Sequence, residues 1–189
     1  MEVEVKSPFP FEALPRVWRW IEPFKEKVSD DFSPQNEEQF LSFMAGKWKV
    51  QKTWAVYGNG ELGGLIQFER LTPWLGTAHF LLKREFQGLS SRGERPVGKG
   101  TGIPRQPGIA IQACRIAAAD IFENEGVGKL TFNPFAHSLA IASILINLGA
   151  KREGTLTGHT LCGGKPTDMW VYGLTKEGFQ EKQNARVDQ

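Results

Sequence analysis

The chain has 189 residues and a mass of 21.1 kDa, room for one globular domain rather than two. With 40% hydrophobic and 23% charged residues it can bury a core, which excludes a wholly disordered chain. No apolar run reaches the roughly 18 residues of a membrane-spanning helix, and the charge-alternating start Glu2-Val3-Glu4-Val5-Lys6 lacks the apolar stretch of a signal peptide. A net charge of +2 is too small to argue for a nucleic-acid partner. Two cysteines, Cys114 and Cys162, make neither a disulfide framework nor a set of about four zinc ligands. The expectation is a cytoplasmic chain, a single domain over 1–189, without metal or membrane.

In chain order, Glu2 to Lys6 alternates as a short strand, and Phe11 to Phe24 places Leu14, Val17, Trp18 and Ile21 on one helical side. Ser33-Pro34-Gln35-Asn36-Glu37-Glu38 is a helix start with acids near its positive end, followed by an apolar face of Phe40, Leu41 and Met44. Thr53 to Tyr57, the turn Gly58-Asn59-Gly60, and Leu62 to Phe68 read as a hairpin. Thr77 to Leu82 continues that meander as a third strand.

The period then changes. Ala110, Ala113, Cys114, Ala117 and Ile121 form a small-residue stripe on a helix running to about Glu123, and Lys129 to Phe132 is a brief strand. Ser138 to Leu148 is a second helix of this half, closed by Gly149 at the position a C-terminal cap favours. Glu153 to Leu161 and Thr167 to Leu174 are two further strands, and the tail 177–189 reads as polar and frayed. A helix between the fourth and fifth strands of the sheet predicts one parallel crossover in a mostly antiparallel α/β (α+β) fold.

Charge is unevenly placed. Residues 1–50 carry seven Lys/Arg against nine Asp/Glu, whereas 83–105 carry six against two and contain five glycines. This basic, glycine-rich segment is either a solvated loop or a cover over something anionic. Directly after it, Arg105-Gln106-Pro107-Gly108-Ile109-Ala110 leads into the small-residue helix. A helix start presents unpaired N–H groups and the positive end of a dipole to a phosphate, and glycine lets the backbone come close.

At this point the sequence resembles the GNAT superfamily of acyl-CoA-dependent N-acetyltransferases, most nearly its ribosomal-protein acetyltransferase branch. Arg105-x-x-Gly108-x-Ala110 is similar to that family's Q/R-x-x-G-x-G/A loop. Leu148-Gly149-Ala150, Glu153-Gly154-Thr155-Leu156, Gly163, Asp168, Tyr172 and Leu174-Thr175 match, in order, the branch's C-terminal pattern. The resemblance covers roughly residues 10–178. It implies a central sheet splayed between strands 4 and 5, flanked by four helices, with acetyl-CoA as cosubstrate. By the same resemblance, Arg105, Gln106, Gly108, Ile109 and Ala110 cradle the pyrophosphate, and Leu82 and Ser138 dock the pantetheine arm.

The chain departs from the pattern in two places. Residues 87–104 form an insertion, with a competing match at Arg95-x-x-Gly98-x-Gly100 that Pro104 and Pro107 separate from the helix. The family's Asn-x-x-Ser at the fourth helix is replaced, Ser138 standing in the Asn slot and Ile141 in the Ser slot. In such a fold a backbone N–H polarises the thioester and a base takes the proton of the attacking amine. Glu85 is the first candidate base and His79 the second, with Ser138 near the thiol. Tyr172 is a candidate acid or a buried strand tyrosine, and Asp168 a turn support or a substrate carboxylate. The implied activity is acetyl transfer to a primary amine, a peptide N-terminus or small amine; the alternative is an inactive CoA- or protein-binding module. The acceptor and the choice between monomer and homodimer are left open by the sequence.

Overall fold

The computed structural model describes residues 2–25, 29–83, 86 and 108–187. Its organising unit is the predicted hairpin. Strand β2 (Lys52–Gly58) and strand β3 (Glu61–Arg70) meet through Asn59 (φ 49°) and Gly60 (φ 79°), so that Gly58 faces Glu61. Two successive positive φ angles match the right-handed strand twist, and Asn-Gly is the pair that adopts them most cheaply. Strand β4 (Leu75–Leu82) pairs antiparallel with β3, and the first strand, β1 (Val3–Lys6), pairs antiparallel with β2.

From β4 the chain reaches helix α3 (Ile109–Asn124) and returns through β5 (Lys129–Phe132), parallel to β4. Helix α4 (Leu139–Leu148) then leads to the long hairpin β6 (Lys151–Cys162) and β7 (Lys165–Thr175). The seven strands lie in the order β1-β2-β3-β4-β5-β7-β6, with β4–β5 the single parallel pair among the described residues.

Alternation along β2–β4 divides the core into two layers. On one face Trp54, Val56, Ile66, Phe68 and Ala78 pack with the small stripe of α3 and with α4. Ala110, Ala113, Cys114 and Ala117 are almost wholly buried there, and that burial pushes the Cys114 thiol far up, leaving it an inert core group. On the opposite face Ala55, Leu62 and Leu65 lie under helix α1 (Leu14–Ile21) and helix α2 (Glu37–Lys47). Asn36 caps α2 by accepting the Gln39 amide at 2.9 Å, three residues inside the predicted start.

The C-terminus corrects the sequence reading. Lys176–Val187 is a fifth helix, α5, rather than a frayed tail. Its apolar content is small, but Phe179 is buried against Phe122 at 5.6 Å and the Thr175 hydroxyl accepts the Gly178 amide at 3.0 Å. One anchored ring and one cap suffice to order a short polar helix. No helix among the described residues is long and apolar enough to cross a membrane.

Candidate functional site

The parallel pair is short. Leu75, Gly76 and Thr77 face Lys129, Leu130 and Thr131; beyond that rung β4 runs on for five residues while β5 ends at Phe132. The Thr77 hydroxyl donates to the Thr131 carbonyl at 3.1 Å, fixing the last rung. Below the opening Phe80 and Phe132 stack at 5.6 Å on the α3–α4 side. The sheet is therefore splayed between β4 and β5, as expected.

Backbone direction at the opening follows from period two. The Lys83 amide donates to Gly63, so Leu81 and His79 also turn their amides to β3, whereas Phe80 and Leu82 turn theirs toward the opening. The Leu82 side chain is buried on the α3 face, so any role in docking a ligand falls to its backbone.

Helix α3 must run back against β4 for β5 to be parallel to it, which puts its N-terminus at the carboxyl ends of β4 and β5, beside the opening. Gly108 sits at that start with φ 98°, a left-handed conformation that a side chain would strain. The first bond inside the helix runs from the Gln112 amide to the Gly108 carbonyl, so the helix itself leaves the amides of Ile109, Ala110 and Ile111 unused. The side chains of Ile109 and Ala110 are buried, and only their backbone is suited to an anion. Arg105, Gln106 and Glu85, with the insertion 87–104, lie outside the described residues.

Ser138 stands at the start of α4, half-buried, and its hydroxyl makes no bond to the first amides of the helix. Capping, the ordinary use of a serine there, is thus not its role. Ile141 packs partly buried against the core and brings no hydroxyl to this end. Tyr172 is a buried strand residue set edge-on to Trp170, and Asp168 accepts the Gly158 amide at 2.8 Å, supporting the β6–β7 hairpin. His137 and His159 are exposed and apart from His79, and no three His, Cys, Asp or Glu side chains converge among the described residues.

The other face of β4 carries a polar cluster within an apolar cleft of about 360 Å³. Its floor is Gln67 and His79; Trp18, Phe40, Met44 and Leu81 supply walls, and Lys47 and Gln51 lie at one end. Gln67 donates to Gln51 Oε1 at 2.8 Å, Gln51 donates to Glu69 Oε2 at 2.8 Å, and Lys47 pairs with Glu69 at 3.3 Å. The Gln51 bond and the Lys47 charge together outweigh burial and hold the Glu69 carboxyl below its usual range.

Water reaches the His79 ring through the cleft mouth, but protein closes in on its remaining sides. That crowding holds the His79 pKa below the ordinary histidine value, Glu69 opposing the shift and Lys47 adding to it. A neutral imidazole at pH 7 is an acceptor of protons. The sequence pattern identified His79 but not the cluster around it. Its one signal was Gln67, a polar residue interrupting the apolar run Leu62 to Phe68.

Two further elements wall the cleft. Trp18 lines it, whereas Trp20 lies under the Lys83 ammonium at 5.4 Å. The segment from Ser29 to Ser33 closes one side and is strapped to the distant hairpin. Asp31 accepts the Gly163 and Gly164 amides, each at 2.8 Å, and Thr160 donates to Asp30 at 2.9 Å. A carboxylate in a nest of two positive-φ glycine amides is a charge-assisted arrangement. Asp30 loses hydration, but bonds from Ser33 and Thr160 outweigh that and keep its pKa low.

No family profile matches the sequence, and no curated protein matches it by sequence. Solved structures do match. Ribosomal-protein-S5-alanine acetyltransferase from Vibrio fischeri aligns over 94% of each chain at 12% identity with a TM-score of 0.67. RimL, a ribosomal L7/L12 alpha-N-protein acetyltransferase, aligns over 92% of this chain and 90% of its own at 12% identity with a TM-score of 0.69. Spermidine N-acetyltransferase from Vibrio cholerae, solved with CoA and spermine, aligns over 94% of this chain and 98% of its own at 11% identity with a TM-score of 0.68. Likeness at such identities is a likeness of fold, and the splayed parallel pair with its flanking helices agrees with it: this chain carries the fold of the GNAT acetyltransferases.

Proposed function

We propose that the protein is an acetyl-CoA-dependent N-acetyltransferase acting on a primary amine. The observation that carries this reading is the β4–β5 opening, with Gly108 at the start of α3, the Ser138 hydroxyl at the start of α4 and His79 on the neighbouring strand face. The residues fit the cosubstrate: backbone amides at a helix start suit a pyrophosphate, and the stretch of β4 beyond its last rung with β5 suits an amide-bearing arm. When bound, acetyl-CoA supplies an activated acyl carbon with a thiolate leaving group.

The chain's own groups then have distinct tasks. The α3 amides, with Arg105 and Gln106 before them, hold phosphate. The outward-facing backbone of β4 around Phe80 positions the arm and polarises the carbonyl. His79, neutral at pH 7, takes a proton from the incoming ammonium, whose pKa of about 10.4 would otherwise keep it unreactive. The amine nitrogen bonds to the acyl carbon, the carbon–sulfur bond breaks, the nitrogen gives up its second proton and the thiolate takes one up to leave as free thiol, the Ser138 hydroxyl donating a hydrogen bond to the departing sulfur. Glu85 is an alternative base.

A second reading is favoured by Ile141, which stands where the family has a serine: a module that binds CoA without turnover. Amine-stimulated release of free CoA thiol from acetyl-CoA separates the two. Turnover that depends on both substrates supports the transferase, and binding of acetyl-CoA without any thiol release would leave the binding module.

A further inference from the structure

We infer that the acceptor is a singly charged primary amine on an apolar body, an arylalkylamine or a chain whose first residue is hydrophobic, rather than a polyamine or a small polar amine. The inference rests on the acetyltransferase reading above and names the substrate class of the cleft beside His79.

The cleft joins one polar spot to apolar walls. Gln67 and His79 face each other across β3 and β4, and both hydrogens of the Gln67 amide are engaged, by Gln51 Oε1 at 2.8 Å and Met44 Sδ at 3.7 Å. The Gln67 oxygen and the neutral His79 ring are therefore two neighbouring groups suited to accept from one ammonium. Around them Trp18, Phe40, Met44 and Leu81 offer ring, thioether and aliphatic surface. Burying an aromatic or branched side chain against such walls is favourable in proportion to the apolar area it removes from water. A volume of about 360 Å³ is near the lower end of ligand pockets and suits one side chain with its amine.

Charge decides against a second ammonium. Among the described residues lining the cleft none is a carboxylate, and the one charged group is the Lys47 ammonium. Two acids stand behind the lining and both are engaged: Glu69, which acts on His79, by Lys47 and Gln51, and Asp30 by the hydroxyls of Ser33 and Thr160. An extended polycation would leave a desolvated charge without a partner and set it against Lys47.

The test is calorimetric titration of the full chain, without cosubstrate, with 2-phenylethylamine, the peptide Phe-Gly-Gly, spermidine and glycinamide. Tighter binding of either phenyl compound by tenfold or more over spermidine and glycinamide is expected, and which of the two binds better tells a free amine from a chain terminus. Gln67→Glu should raise spermidine affinity at least tenfold, and Phe43→Ala, a change at the exposed rim, should weaken the phenyl compounds about threefold. Equal affinities, a preference for spermidine, or no binding by any of the four would overturn the inference. Failure of acetyl-CoA to bind in a separate titration would overturn the transferase reading instead, while the amine ratios still decide this one.

Discussion

His79 and Gln67 are direct cross-strand partners on the face of the sheet beneath α1 and α2, at the level where β4 has parted from β5. The position places an imidazole beside the opening and inside the cleft at once. On the proposed function, an amine entering from the α1–α2 side would meet His79 from one direction, and an acyl group lying along β4 would meet the same point from the other.

The first prediction concerns that ring. His79→Gln should lower kcat/KM for amine acetylation by about 10²- to 10⁴-fold, the usual contribution of a positioned base. Because the His79 pKa is depressed, the wild-type acid limb should have its midpoint below pH ~6.5 and a plateau above it. The variant should lose that limb. A wild-type profile indifferent to the substitution would transfer the role to Glu85.

The strap of the α1–α2 segment gives the second. Asp31→Ala removes two charge-assisted bonds that tie the cleft wall to the β6–β7 turn, at a cost of about 1–3 kcal/mol in unfolding free energy. Hydrogen exchange at Gly163 and Gly164 should accelerate, and KM for the amine should rise more than KM for acetyl-CoA. Exchange unchanged at both glycines would contradict the strap.

A third prediction lies on the opposite face. Trp54 is buried and its indole N–H donates to Asp120 at 2.8 Å, with Lys52 3.2 Å from the same carboxylate. Burial opposes ionisation of Asp120, but bonds from Asn124, Trp54 and Lys52 prevail and lower its pKa. A lowered carboxyl pKa stabilises the fold above the unfolded value of about 3.9 and is lost as pH falls through the folded one. Asp120→Ala should destabilise the chain by about 1–3 kcal/mol at pH 7 by leaving the indole unpaired. The difference between variant and wild type should shrink below pH 4 in denaturant melts.

Much of the fold was legible because period and punctuation are local properties. The Asn59-Gly60 turn, the strands on either side of it, the small stripe of α3 and the Gly149 helix end all stand within a few residues of the signals that specify them. Helix α5 was not legible, since its order comes from a contact between Phe179 and Phe122, far apart in sequence. The strap was hidden for a similar reason. Asp31 binds backbone amides 132 and 133 residues away, and every residue but proline carries an amide. Within the site His79 was identifiable by type alone, while Lys47, Gln51 and Glu69 acquire meaning only when α2 lies beside β3.

If the β4–β5 opening and the start of α3 hold acetyl-CoA as proposed, calorimetric titration of the full chain with acetyl-CoA will show it. Micromolar binding is expected, weakened at least tenfold by Gly108→Glu, which sets a negative charge and a strained backbone where the phosphates would lie, in a variant whose melting curve shows it still folded. No binding up to millimolar acetyl-CoA would contradict it.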